Sequence, residues 1–288
     1  MPATIDQRRL PSTIYLYHDG AASTLDLDAI ASYLHDLFPT LAVTQRIDFA
    51  VHHLRSIPDA ERSQRQESLA KSLASLRIHD PAQQIDRQGQ PDLLSGEIEF
   101  EARQLAAPHR TSGGVLYEGS LLAHTLALLV PHEESSLEHL HIVLTRRLFA
   151  TWEQADGRYH ARVILCGYPS LISTSGVVEA PARPREYYVL RRQAAAGGPS
   201  LQALIDWERT NRPRFLDHDD ERLTDVILGY VMQAFMFHVS GEPFCQEPTC
   251  RLYNAHWQED LIRAQLGAGP DFCPHHAEMI EATGTSYK

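Results

Sequence analysis

The chain has 288 residues, of which 43% are hydrophobic and 22% are charged, and no residue type dominates. This composition is typical of a globular protein with a hydrophobic core and excludes a disordered or collagen-like chain. The formal net charge is −11, with acidic and basic residues interleaved. The sequence therefore lacks the clustered Lys and Arg that bind nucleic acid or an anionic membrane.

The sequence also carries no recognisable targeting signal. No apolar stretch approaches the roughly 18 residues needed to span a bilayer, and the N-terminus lacks the apolar segment of a signal peptide. We therefore expect a cytoplasmic protein with no membrane partner. The oligomeric state cannot be predicted from these features.

The first fifty residues follow the order strand, helix, strand. β-branched and aromatic residues over 13–17 predict an opening strand, and apolar residues at helical spacing over 27–37, behind the candidate cap Asp26, predict a helix. Residues 41–49 predict a second strand. This order is typical of an α/β domain.

The middle of the chain alternates between helix, loop and strand patterns. Widely spaced leucines over 60–76 predict a surface helix, and the Gln, Asp, Pro and Gly residues near 79–96 predict a flexible loop. Two apolar runs, 140–144 and 159–165, lie on either side of an Ala-Asp-Gly turn and predict a pair of strands in the centre of the sheet. Residues 173–176 and 181–184 have turn or loop chemistry and predict a long irregular connection.

A long apolar helix is predicted near the C-terminus, over 223–239. Acidic residues at 217–220 favour its N-terminus through capping and the helix dipole, and Gly241 ends it. The chain thus divides into a sheet-forming region, 1–220, and a C-terminal region, 221–288, packed as one compact unit.

Cysteine and histidine residues in the C-terminal region have the spacing of a metal site. Cys245 and Cys250 form one short-spaced pair, and Cys273 and His276 form another. Two such pairs separated by an intervening element build a tetrahedral zinc site, and His275 is an alternative fourth ligand. Because four protein ligands leave no position for water or substrate, this Zn²⁺ is expected to be structural. The competing interpretation is that the cysteines are small buried apolar residues.

This region resembles the archaemetzincins, a family of the metzincin clan of zinc proteases. Their active-site helix ends in His-Glu-x-x-His-x-x-Gly-x-x-His, runs into Cys-x4-Cys-x-Met and is followed by Cys-x-x-Cys. By this resemblance His238 matches the second zinc-binding histidine and Gly241 the helix-ending glycine, while the three cysteines match structural ligands and His276 replaces the fourth cysteine. An uncharacterised metallopeptidase-like branch of these proteins is similar at 241–245 and 254–259.

The resemblance implies a metzincin-like α/β fold, with a mixed twisted sheet flanked by helices and a C-terminal zinc-knuckle subdomain. The catalytic residues, however, are replaced: Ala234 stands at the first histidine, Phe235 at the glutamate base, Phe244 at the third histidine and Leu252 at the methionine. Zinc-protease chemistry needs three protein ligands, a bound water and a carboxylate base. We therefore expect a zinc-binding protein without ordinary peptidase activity that retains a cleft for a peptide or protein.

The alternative is a metal-dependent hydrolase with a rebuilt centre. His256 and Glu259, or Asp260, are about one helical turn apart, so a helix would present them on one face. Together with His238 they would form a two-histidine, one-carboxylate centre. On the opposing interpretation, His256 only donates a hydrogen bond and the acidic residues are solvated.

Two further possibilities remain open. His139 and His141 alternate on a predicted strand and face the same side, as metal ligands do, although such pairs are also common on ordinary strands. A scaffold protein with no small-molecule site is the third functional class.

Overall fold

The structure, a computed structural model, describes residues 10–85, 93–110, 114–196 and 200–286. These residues form a mixed α/β structure with two mixed sheets, and about half of them are helical. Eight strands are described: β1 (Thr13–His18), β2 (Ala42–Arg46), β3 (Leu116–Glu118), β4 (His139–Thr145), β5 (Leu148–Glu153), β6 (Arg158–Arg162), β7 (Ile164–Leu165) and β8 (Ser170–Ser173).

The helices in the same ranges flank these sheets. They are α1 (Leu27–Leu37), α2 (Phe49–Arg55), α3 (Asp59–Ser75), α4 (Ser95–Ala106), α5 (Gly119–Ala127), α6 (Gly176–Glu179), α7 (Arg185–Ala195), α8 (Ser200–Asn211), α9 (Leu223–Ser240), α10 (Gln258–Leu266) and α11 (Pro274–Ser286). A short 3-10 helix, His132–Glu134, precedes β4.

The main sheet has the strand order β2-β1-β4-β8-β7, and the smaller sheet has the order β3-β5-β6. In the main sheet β7 alone runs antiparallel to its neighbour; in the smaller sheet β3 and β5 are parallel and β6 is antiparallel. Since successive side chains of a strand point to opposite faces, β1 and β4 each supply two cores. Ile14 and Ile142 pack on the α9 side, whereas Tyr17 and Val143 pack on the α2 side.

The N-terminal strand and helix are confirmed, and the second strand is shorter than predicted. The Asp26 carboxylate accepts a hydrogen bond from Ala29 N at 3.0 Å and so caps α1. Strand β2 ends at Arg46 because Asp48 caps α2, accepting from Val51 N at 3.0 Å.

The predicted strand pair of 140–144 with 159–165 is wrong. Strand β4 pairs with β1 and β8 in the main sheet, while β6 pairs with β5 around a turn in which Gly157 has φ 59°. The actual partner, β5, has no counterpart among the predicted strands. The expectation of one sheet is also wrong, because the described residues form two.

The expected irregular connection over 173–184 contains the short helix α6, and α7 begins directly after Pro184. Proline suits the beginning of a helix because its fixed φ is helical and its missing N–H is not needed there. Much of the predicted loop near 79–96 lies outside the described residues, because residues 86–92 are not among them.

Helix α9 is the buried centre of the structure. Val231, Met232 and Phe235 are fully buried, and the Phe235 ring stacks on Phe38 with 4.5 Å between centroids. Gly241 ends the helix at φ 80°, as predicted. With 18 residues and a mean hydropathy of 1.2, the helix is long and apolar enough to cross a membrane, contrary to our expectation. However, 78% of it is buried inside the protein, as in the core helix of a globular domain.

The predicted acidic cap of α9 is replaced by another arrangement. The residue at the cap position is Arg222, whose side chain makes no capping hydrogen bond. Asp220 instead accepts from Arg222 N at 3.0 Å and from its guanidinium at 2.8 Å, so the acidic side chain orders the turn before the helix.

A buried glutamine connects α10 to two other parts of the main core. The Gln258 side chain is fully buried; its Oε1 accepts from Leu216 N at 3.0 Å, and its Nε2 donates to the Val177 and Val178 carbonyls at 2.7 and 3.2 Å. These backbone groups are themselves buried, so each depends on this one side chain.

We expect Gln258→Ala to lower the free energy of unfolding by roughly 2–4 kcal/mol, because it leaves buried backbone groups without partners. Gln202→Ala makes the same chemical change at an exposed position of α8 and should have little effect. Urea unfolding of both variants measures the difference, and equal losses would contradict the prediction.

Candidate functional site

Four side chains with metal-ligand chemistry meet beyond the C-terminal end of α9. Cys245 and Cys250 lie in the segment that follows α9, and Cys273 and His276 lie at the start of α11; the ligand atoms are all within 4.8 Å of one another. The Cys273 sulfur is 3.9 Å from the Cys245 sulfur and 3.1 Å from His276 Nδ1, and the Cys250 sulfur is 3.9 Å from the same nitrogen.

These separations fit a tetrahedral metal ion. Zinc–sulfur bonds of about 2.3 Å and zinc–nitrogen bonds of about 2.0 Å place ligand atoms roughly 3.3–3.8 Å apart around a tetrahedral ion. The group could therefore hold a metal with only small shifts of its side chains. It contains His276 and not His275, which is exposed.

Local backbone geometry brings the four ligands together. Cys245 N donates to the Leu252 carbonyl at 2.8 Å, and Tyr253 N donates to the Cys250 carbonyl at 2.8 Å, so the segment turns back on itself with both thiols inside. The second pair spans the start of a helix, since Ala277 N donates to the Cys273 carbonyl at 2.9 Å. One helical turn then places Cys273 and His276 on the same side.

Burial controls the protonation of this group. It raises the pKa of Cys250 to about 12 and also raises the pKa of Cys245, while it lowers the pKa of His276. The Cys245 and Cys250 thiols of the metal-free chain are therefore protonated at neutral pH. Metal binding would displace those protons, since the thiolate is the ligand.

Three of the four positions that the resemblance to archaemetzincins aligns with zinc ligands and the glutamate base are buried. Ala234 and Phe235 are fully buried in α9. His238 is buried, and its Nε2 donates to the Leu137 carbonyl at 2.8 Å, so that ring nitrogen already has a protein partner. Phe244, at the third position, is 39% exposed.

The three residues of the rebuilt-centre alternative are not gathered into one group. Neither metal-ligand group found among the described residues contains His238, His256 or Glu259. The predicted helical spacing is wrong, because His256 precedes α10 and its carbonyl accepts from Ala182 N at 2.8 Å in an extended connection. Glu259, in the first turn of α10, forms an ion pair with Arg214.

A cleft of about 350 Å³ lies beside α9. Tyr230 and Phe237 line it from the helix, and Phe244 and His256 line it from the segment that follows. Residues 161–165, which include the end of β6 and all of β7, form the opposite wall. Each of these two strands is the end strand of its sheet.

A second group of metal-ligand side chains lies on the other face of the main sheet. His53 from α2, Glu134 from the 3-10 helix before β4 and His141 from β4 have ligand atoms within 4.8 Å of one another. His141 is fully buried and His53 is 3% exposed. Arg46 bonds both oxygens of Glu134, with Nη1–Oε2 at 2.8 Å and Nη2–Oε1 at 2.6 Å.

The electrostatics of this second group favour neutral imidazoles beside a charged carboxylate. Burial lowers the pKa of His53 to about 3 and that of His141 to about 4. The hydrogen bond from Arg46 lowers the pKa of Glu134. At neutral pH both imidazoles are therefore neutral, with one unprotonated nitrogen each, and Glu134 is ionised.

Of this group, only His141 is a candidate from the sequence, where it is paired with His139. The His139 ring stacks on Tyr15 with 5.6 Å between centroids and is not part of the group. His53 and Glu134 could not be predicted because they come from elements far apart along the chain. No local spacing rule connects them with His141.

Comparison with protein-family models matches residues 10–283 to the Probable metallopeptidase family (DUF6775). Comparison with curated proteins and with solved structures gave no significant match. The matched range contains both groups of ligands, and the family description implies a metal cofactor without naming the ion. It refers to metallopeptidases in general and does not single out archaemetzincins.

Replacing one ligand of the cysteine group tests whether a metal stabilises the fold. We expect Cys250→Ser to lose one metal ion per chain and to lower the melting temperature by roughly 10 °C or more, because the free energy of metal binding is part of the folding free energy. Elemental mass spectrometry and thermal unfolding give the two readouts. Cys166→Ser, at a free cysteine outside the group, should keep the metal; equal metal content in the two variants would contradict the prediction.

Proposed function

The chain belongs to the metallopeptidase family that its residues 10–283 match, and on that premise we propose that it is a cytoplasmic, zinc-stabilised, archaemetzincin-like protein that binds peptide segments without ordinary peptidase activity. One observation carries the proposal. The catalytic positions of α9 hold buried Ala234 and Phe235, while a complete set of four metal ligands lies directly beyond the same helix.

The choice of zinc rests on the ligand set. Three sulfur atoms and one imidazole nitrogen are soft to borderline ligands, which favour zinc over calcium or magnesium. A four-ligand shell leaves no position for water, so the ion would act on stability rather than on a substrate.

Loss of ordinary hydrolysis follows from the chemistry of the replaced residues. Alanine and phenylalanine have no lone pair for a metal and no carboxylate to accept a proton from water. A single imidazole cannot hold a catalytic zinc, and His238 Nε2 already donates to the Leu137 carbonyl. These replacements support the absence of ordinary peptidase activity at α9.

The metzincin-like part of the proposal rests on α9 and its surroundings. The helix packs against the main sheet, ends at Gly241 in the left-handed conformation and leads directly into the cysteine group. The main sheet has an antiparallel end strand, β7, on the side of the cleft. This combination agrees with the arrangement that the resemblance implies.

The cleft supports an extended peptide as the partner. It combines aromatic surface from Phe237 and Phe244 with the polar side chain of His256, and sites that bind small ligands and peptides combine apolar walls with a few polar groups. Strands β6 and β7 border it as end strands, and an extended peptide can bind such a strand through main-chain hydrogen bonds. We place neither nucleic acid nor a membrane among the partners, because the net charge is −11 and the apolar helix α9 is buried.

Peptide hydrolysis is tested with zinc-loaded protein and an unstructured protein substrate. We expect no cleavage above the buffer control, either by the unmodified chain or by His238→Ala, because α9 lacks the ligands and the base. Mass spectrometry of the digest detects new termini. Cleavage that disappears in His238→Ala would overturn the proposal.

Peptide binding is tested by selecting peptides from a random library and measuring their dissociation constants. We expect Phe244→Ala to weaken binding about tenfold or more, since aromatic residues at the centre of an interface supply much of its affinity. Leu128→Ala removes an exposed apolar side chain outside the cleft and serves as the control. Failure to select any peptide, or equal binding by the two variants, would contradict the peptide-binding part.

A further inference from the structure

We propose that His53, Glu134 and His141 form a second metal site, which takes a divalent first-row transition metal such as zinc. The proposal rests on the convergence of α2, the His132–Glu134 helix and β4, which brings the three ligand atoms within 4.8 Å of one another. Two imidazoles and one carboxylate form a ligand set used by mononuclear zinc and iron proteins. This site is separate from the proposed zinc knuckle and does not depend on it.

The hydrogen bonds of His141 orient it as a ligand. Its Nε2 lies 3.1 Å from the Glu134 carbonyl oxygen, and because a carbonyl can only accept, this nitrogen carries the proton. The lone pair of the neutral ring is therefore on Nδ1. Metal-binding histidines commonly donate their second ring N–H to a backbone carbonyl in this way, which fixes both the tautomer and the ring orientation.

One nitrogen of each imidazole faces a common position. The Tyr17 hydroxyl oxygen lies 2.9 Å from His141 Nδ1 and 3.2 Å from His53 Nε2, and Tyr17 is fully buried. The single hydroxyl proton is donated to His141 Nδ1, so His53 Nε2 donates its proton to the Tyr17 oxygen. A bound metal would replace both hydrogen bonds and would take the lone pair of His141 Nδ1 and, in the other tautomer of the ring, that of His53 Nε2.

Glu134 supplies the negative charge, and Arg46 orients it. Each carboxylate oxygen accepts one bond from the guanidinium and has a second lone pair available. Carboxylates that bind metals are commonly held by such an outer partner. The competing interpretation is that Arg46 is the only cation that Glu134 binds and that the two histidines belong to a purely hydrogen-bonded core.

The two groups can be studied separately because the main sheet lies between them. Cys245 and Cys250 belong to the core on the α9 side of the sheet. Tyr17, which contacts both histidines, belongs to the core on the α2 side. A change at one group should therefore leave the ligands of the other in place.

Cobalt substitution distinguishes the two sites. We expect metal-free protein to bind two Co²⁺ ions per chain, of which only the one in the cysteine group produces sulfur-to-cobalt charge-transfer bands. Glu134→Gln keeps the shape of the side chain but removes its charge, and we expect it to bind one Co²⁺ with unchanged charge-transfer bands. His124→Gln, at an exposed histidine outside both groups, should bind two ions.

The unchanged charge-transfer bands also report that the variant is folded at the cysteine group. If Glu134→Gln fails to fold, His53→Gln provides the same test, because it removes one imidazole and leaves the Arg46–Glu134 pair intact. The unmodified chain gives a further readout. X-ray absorption of the zinc-loaded protein should show half as many sulfur ligands per zinc as a single three-cysteine site would give.

The proposal is overturned if the unmodified chain binds no cobalt beyond the ion with charge-transfer bands. It is also overturned if folded Glu134→Gln and His53→Gln each keep the second ion, since that ion would then be bound elsewhere. If the cobalt-loaded unmodified chain shows no charge-transfer bands, that result contradicts only the proposed zinc knuckle.

Discussion

The burial of α9 against the main sheet constrains every other feature of the C-terminal half of this protein. The helix contacts α1, α10, β4 and β8, and most of its buried residues are apolar, with Gln233 and His238 as polar exceptions. A zinc-protease helix must instead turn two histidines and a glutamate towards a water-filled cleft. Ala234 and Phe235 pack in the core but can neither bind zinc nor accept a proton. Phe235 stacks on Phe38, at a position where burying a charged base would be costly.

The same sheet separates the two groups of metal ligands. Alternation along β4 sends Leu140, Ile142 and Leu144 to the α9 side, while His141 lies with Tyr17 on the opposite side. A single strand therefore contributes packing to one core and a ligand to the other. The family description implies a metal but does not say which face of the sheet holds it.

Local patterns in the sequence were sufficient for some elements and not for others. Strand β1, helix α1 with its Asp26 cap and helix α9 with Gly241 were predicted because their signals lie within a few residues. The grouping of Cys245 with Cys250 and of Cys273 with His276 followed from two short spacings. The partner of β6 and the convergence of His53 with His141 were not predictable, since both depend on contacts between elements distant in the chain.

A metal held beyond α9 would have a physical role that does not depend on catalysis. The segment between Ser240 and α10 contains no regular helix or strand; it has isolated bridges between Cys245 and Tyr253 and between Trp257 and Ala182. Such a segment gains little stability from secondary-structure hydrogen bonds. Other contacts must therefore offset the conformational entropy that it loses on folding. A metal bound by Cys245 and Cys250 together with Cys273 and His276 would attach this segment to the start of α11. It would thereby hold Phe244 and His256 in the wall of the cleft. A structural ion would therefore be useful to the proposed peptide-binding protein even without a catalytic ion.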